Sequence, residues 1–226
     1  MTLTVLYEDN HLLVVRKPSG MLSQGDQTGD PNLLDVGKAY LKEKYDKPGN
    51  VFLGLVHRLD RPVSGVMVFA RTSKSAARLS EQIRDRTIHK QYWALAEGRL
   101  PKSGQLAHHL AHRQSKSRVV SPPEGQHASL SYRCINYHNN ISWLEIQLET
   151  GRHHQIRVQF AHIGHALIGD YKYGSRKPYP HRSLALHALS LSFTHPITQE
   201  SMIFKADPDP HWYTTFENVA PTGSRQ

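Results

Sequence analysis

Residues 51 to 72 read VFLGLVHRLDRPVSGVMVFART. Two apolar runs of strand character flank a short charged segment, and no other part of the chain restricts the fold as much. The charged segment is therefore a loop held between two buried strands, a rigid mounting for chemistry. It places one carboxylate, Asp60, between Arg58 and Arg61, with His57 close by. Taken alone, such a run is a solvated turn whose surface ion pairs add little to stability. The rest of the chain decides whether it is more.

The segments around it alternate between strand and helix. TVLYEDNHLLVVRKPSG reads as strand, turn, strand and a stop at Pro18 and Gly20. DPNLLDVGKAYLKEKY reads as a helix with Asp30 as N-cap and Pro31 at the first helical position. VFLGLVHRLD and GVMVFART are the two strands about the loop, and TSKSAARLSEQIRDR is a helix with Ala76, Leu79 and Ile83 on one face. KQYWALAEG is a strand, and residues 98 to 123, which lack Asp and Glu, predict two short strands and an extended basic loop. ISWLEIQLET alternates, with Leu144, Ile146 and Leu148 on one face. HHQIRVQFAHIG predicts a helix with Ile156, Phe160 and Ile163 inward, and LALHALSLSF another strand. There is no internal repeat or linker, so a single mixed α/β domain over residues 1–210 with a frayed tail at 211–226 is the simplest account.

Composition narrows the partner. The 226 residues carry a net charge of +9, a field that favours a polyanion, either nucleic acid or an acidic membrane surface. No run is long enough to span a bilayer, and the start has no leader pattern, so a cytoplasmic protein is expected. The one cysteine, Cys134, sits in a strand-like stretch and reads as a structural thiol. Arg152, Arg157 and Lys172, together with Arg113 and Arg118, form a candidate groove for a phosphate backbone. His108 and His112 have helix-like metal spacing but lack a third ligand, so no metal is expected.

A second unusual stretch, LETGRHHQIRVQFAHIGHALIGDYKYG at residues 148 to 174, sets Arg152 and Arg157 around His154 and Gln155. HRLDRPVSG followed by TGRHHQIRVQFAHIGHALIGDYKYG closely resembles the RluA-type family of RNA pseudouridine synthases. VVRKPSGMLSQ, HKQYWALAEGRL and LALHALSLSFTHP match further motifs of that family, so the likeness spans roughly residues 4 to 206. Val63 departs from the family's usual Thr, His153 fills a variable place, and Ala166 replaces a frequent Pro. The chain starts directly at the catalytic region, so the short form without an S4-like domain is expected.

The resemblance implies an α+β fold, one large mixed, mainly antiparallel sheet flanked by helices and loops. It implies isomerisation of uridine in structured rRNA or tRNA without cofactor; a monomer is expected. Asp60 would be the catalytic carboxylate, kept ionised by Arg157, and Tyr92 would stack on the base. Arg58 would fill the gap left by a flipped base. Arg61, His154 and Gln155 would join the RNA contacts, His57, Ser64, Gly65 and Lys17 would support the loop, and Leu59 and Ile156 would wall the base or pack in the core. The competing class is a non-catalytic RNA-binding module or RNA chaperone on the same fold. A metal-dependent nuclease would need a carboxylate cluster that the sequence lacks.

Overall fold

The computed structural model describes residues 3–180 and 183–214. Strands β1 (Thr4–Glu8) and β2 (Leu12–Lys17) form a hairpin. Its turn is closed by the Asp9 carboxylate, which accepts from the His11 and Leu12 amides at 2.7 and 2.6 Å. Helix α1 (Leu33–Lys44) is capped by Asn32, whose side chain accepts from the Asp35 amide at 3.0 Å. The predicted cap, Asp30, is instead drawn to the Arg61 guanidinium at 2.7 Å, so the helix starts two residues later than expected.

The strand expected before the charged loop shrinks to β3 (Gly54–Leu55). Beyond it the His57 ring replaces the backbone ladder, its Nε2 accepting from the Val68 amide at 3.1 Å. Strand β4 (Ser64–Ala70) is buried throughout, and α2 (Ser73–Arg84) follows with Thr72 as cap. Leu79 of α2 is fully buried against Val66 and Val68, worth about 2 kcal/mol by the area it removes from water. β2 and β4 are apolar on successive residues because both faces are covered: one by α1 with Leu33 and Leu41, the other by α2.

The remaining strands are β5 (His89–Glu97), β6 (Ser103–Arg113), β7 (Lys116–Val120), β8 (Gln126–His138), β9 (Ile141–Leu148), β10 (Leu186–Thr194) and β11 (Ser201–Lys205). Residues 98 to 123 are thus a long β6–β7 hairpin rather than two short strands and a loop. β6 is paired on both edges, with β7 and β8, and this satisfies a backbone that a loop would leave to water. His108 and His112 lie on this strand, where four residues span about 13 Å; the helix-like spacing does not apply. Cys134, on β8, is half-buried. Helix α3 (Gln155–His162) rests on β6 and β7, with Ile156 and Phe160 buried.

All strands join one sheet of order β1-β2-β4-β10-β5-β9-β8-β6-β7, with β3 on β4 and β11 on β10. Every pairing is antiparallel except β4 with β10. The fold is the α+β architecture expected. The tail boundary needs correction: α4 (His211–Thr214) carries Trp212, buried beside Leu95, Trp143 and Ile168, so the body runs past residue 210. Residues 215–226 lie outside the described residues.

The parallel contact is a seam of two residue pairs, Ser64 with His187 and Gly65 with Ala188. Gly65 has φ +129°, and a Cβ there would overlap the Ala188 carbonyl oxygen. Only glycine permits both the conformation and the approach. Ser64 adds a hydrogen bond to His187 Nδ1 at 2.8 Å. Gly65→Ala is expected to cost about 3 kcal/mol or more, read as a lower urea midpoint with an unchanged m-value.

Candidate active site

The loop from His57 to Val63 has no regular structure, yet all its carbonyls from residue 59 to 63 are satisfied. The Leu59 carbonyl accepts from Ser23 Oγ at 2.7 Å, and that same oxygen accepts from the Leu59 amide at 3.1 Å. The Asp60 carbonyl accepts from the Val63 amide at 3.0 Å. The Arg61 carbonyl takes the Gly20 amide at 2.8 Å and Lys17 Nζ at 3.1 Å. The Pro62 carbonyl takes Ser19 Oγ at 2.8 Å, and the Val63 carbonyl takes Lys17 Nζ at 2.7 Å. Lys17 is fully buried, and burial pulls its pKa down to about 7 against the pull of the Asp60 charge. Its three bonds to carbonyls tie the floor to the loop. Val63, lacking the family's hydroxyl, is buried in the core and leaves the loop fully bonded.

This clamp presents the Asp60 side chain to Arg157, 97 residues away in sequence. Arg157 Nη1 donates to Asp60 Oδ2 at 2.9 Å. Behind it, Arg157 Nε and Nη2 donate to the two oxygens of buried Asp170 at 2.7 and 2.8 Å. Burial works against the guanidinium charge, but Asp170 and Asp60 outweigh it and raise the pKa. The Tyr173 ring lies 5.2 Å from the guanidinium carbon. Among the described residues Asp60 Oδ1 accepts no hydrogen bond, so one carboxylate oxygen is anchored and the other is open.

His154 stands next to the pair, its Nε2 3.4 Å from Asp60 Oδ2 and its Nδ1 2.8 Å from the Tyr173 hydroxyl. It adopts φ +53°, a left-handed conformation in which His is enriched, at the entry to α3. Burial pushes its pKa down to about 3 despite Asp60. Burial does the same to His57, also to about 3, and the Lys90 charge adds to it. Both rings are neutral at pH 7. Tyr92 is buried on β5, and burial together with the Asp60 charge raises its pKa, so it stays a phenol.

His57, Asp60, Tyr92, His154 and Arg157 line a cleft of about 610 Å³, which also takes in Leu59, Ile156, Arg58 and Arg152. Leu59 and Ile156 are each part of the main core and also line the cleft. Arg61, Arg113, Arg118 and Lys172 are not among the residues lining it, whereas Gln155 is. Arg61 points to Gly20 and Asp30, outside the cleft. Arg113 and Arg118 both share Glu124 on the β6–β7 hairpin. Gln155 is buried, and its amide is consumed by Thr150, the Arg152 amide and the Ser129 carbonyl; it braces the turn into α3 rather than meeting RNA. Lys172 is half-buried, with its pKa lowered by burial and by Arg157. Missed in the sequence were Asp170, which was the lone acid between Gly151 and Gln199, and Ser19, Ser23, Arg84, Arg86 and Lys90.

Residues 11–162 match the family described as RNA pseudouridylate synthase. The chain is similar to ribosomal large subunit pseudouridine synthase D of Zymomonas mobilis, 37% identical over 220 residues that take in 91% of this chain and 69% of that one. It is also similar to the protein of that name in Haemophilus influenzae, 35% identical over 217 residues, 88% and 65% of the two chains. It spans about two thirds of the length of these relatives. Its fold matches human RNA Pseudouridylate Synthase Domain Containing 4 with a TM-score of 0.78 at 22% identity, over 96% of this chain and 92% of the other.

Two outcomes are expected from this geometry. Asp170→Asn leaves Arg157 half-compensated in a buried site and should lower stability by about 3 kcal/mol in urea titrations. Acid should act through His57 and His154, whose folded pKa values lie well below the ~6.5 of the unfolded chain. As pH falls below about 6.5 the unfolded state takes up protons that the folded state refuses, so stability falls down to about pH 3. His57→Gln should make that pH dependence shallower.

Proposed function

The chain belongs to the RNA pseudouridylate synthase family, and from that premise we propose that it isomerises uridine to pseudouridine in structured RNA, with Asp60 as the catalytic carboxylate. The observation that carries this reading is the Asp60 side chain, tied at Oδ2 to Arg157 and open at Oδ1 in the same cleft as Tyr92. The names of the relatives favour ribosomal over transfer RNA. A cytoplasmic monomer fits that substrate, since one chain supplies every group of the site.

The reaction breaks the bond from ribose C1′ to uracil N1 and forms one from C1′ to C5. A proton leaves C5 and one is gained at N1, so no electrons enter or leave and the atom balance needs no cofactor. The target base reaches Asp60 by leaving its stack, at a cost of a few kcal/mol. Arg58 would fill the vacated position; its exposure at the cleft, without an ion pair among the described residues, supports this. Leu59 and Ile156 give the uracil apolar walls, and the Tyr92 ring stacks on it. Because Tyr92 is held protonated by burial and the Asp60 charge, it moves a proton only when another group relieves it. Asp60 Oδ1 then attacks or stabilises the developing cation, with Arg157 holding the carboxylate in place through Oδ2.

Tritium release from ribosomal RNA labelled at uracil C5 tests this. Asp60→Asn should lose on the order of 10⁴-fold in rate while binding RNA as wild type does. Equal release from both proteins would remove Asp60 from the chemistry. Binding of an unmodified natural substrate without release by either would leave an RNA-binding module.

A further inference from the structure

The cations of this chain divide by what they touch. Arg61, Arg113, Arg118 and Arg133 are each paired with a carboxylate. On the α2 side of the cleft the pattern is different. Arg86 and Lys90 line it without a side-chain hydrogen bond or ion pair to any described residue. Arg84 has only a 3.9 Å approach to its neighbour Asp85. Glu149 is the nearest other acid lining the cleft apart from Asp60, and it pairs with none of the three.

Both residues stand where the fold would be easier without them. Helix α2 closes with the Thr87 amide on the Gln82 carbonyl at 3.0 Å and the Arg86 amide on the Ile83 carbonyl at 3.3 Å. That double closure puts Arg86 at φ +59°, the position usually given to glycine. An exposed arginine there carries left-handed strain with no packing to offset it. Lys90 sits on β5 two residues before Tyr92, so both side chains leave the same face of the strand, about 7 Å apart. Its Nζ is 3.7 Å from where a Gly151 Cβ would be, beside the turn that carries Arg152. Burial lowers its pKa, and no anion of the protein compensates it. A strained arginine and an uncompensated lysine, both next to the catalytic loop, form a place for anions that arrive with the substrate.

We propose that Arg86 and Lys90 hold backbone phosphates of the RNA strand next to the flipped uridine, which makes the end of α2 and the start of β5 a wall of the RNA path. This rests on the RNA-modifying reading of the cleft and deepens it. It moves the path away from the Arg113 and Arg118 hairpin, whose guanidiniums share Glu124.

Arg86→Gly and Lys90→Met separate this from a structural role. The probe is an unmodified large-subunit ribosomal RNA transcript, bound over a range of salt concentrations, with tritium release measured in parallel. Each variant should bind more weakly, and the slope of log K against log salt should flatten by roughly 0.7 for each lost phosphate contact. KM should rise with kcat little changed. Arg86→Gly should melt no lower than wild type, because glycine relieves the left-handed strain. Wild-type affinity and slope in both variants would overturn the proposal, as would weaker binding by Arg86→Gly that comes only with a lower melting temperature. If wild type binds the transcript but releases no tritium, the isomerase reading fails while the slopes still decide this surface. If wild type binds without salt dependence, this proposal fails whatever the tritium shows.

Discussion

Five consecutive carbonyls, from Leu59 to Val63, hold the centre of this molecule in place. A loop without helix or strand is normally mobile, because its polar backbone exchanges bonds with water. Here residues 17 to 23 and the loop's own turn take every one of those oxygens. Lys17 is the most demanding part of that clamp. A fully buried amine tolerates its charge only with partners of opposite polarity, and the Pro18, Arg61 and Val63 carbonyls supply them. The clamp turns a flexible segment into a fixed support, and Asp60 acquires an orientation that its own backbone could not give it.

Arg157 completes the arrangement by holding two carboxylates at once. Asp170 takes two of its nitrogens and fixes the plane of the guanidinium; Asp60 takes the third and keeps one oxygen unbound. The guanidinium charge at the centre does not titrate near neutrality, because, against burial, the two carboxylates raise its pKa. His57 and His154, which would, are held neutral by burial. Lys17 beneath the loop, whose pKa burial lowers to about 7 and which feels the Asp60 charge, is the group whose charge changes near neutrality.

Much of this was legible in the residues. The elements around the charged loop and the inward faces of α2, β9 and α3 follow from periodicity, and the meeting of Asp60 with Arg157 from the family resemblance. What was hidden depends on contacts distant in sequence. Asp30 looks like a better cap than Asn32 until Arg61 claims it. The length of β6 comes from having a partner on each edge, and Trp212 is buried by strands more than a hundred residues earlier as well as by its neighbours. Gln155 reads as a surface amide beside two arginines, but the turn at Thr150 and Arg152 consumes it. Ser19 and Ser23 are ordinary loop residues by type; only the carbonyls they meet reveal their task. Arg86 left one local sign, an RDR run ending a helix, and the sign was indistinguishable from a solvated helix end.

The narrow seam between β4 and β10 has a kinetic meaning. From β5 to β9 the sheet grows largely through hairpins between near neighbours, which close quickly. The hairpin of β1 and β2 is equally local. Joining the two halves requires Gly65 to find Ala188 across more than a hundred residues of chain, for two parallel pairs in return. Loop closure of that span is slow and weakly rewarded until the surrounding side chains pack. Asp60 lies just before the seam and Arg157 on the far side of it. Asp60 and Arg157 thus belong to different halves of the sheet, and the charged centre exists only where those halves are joined.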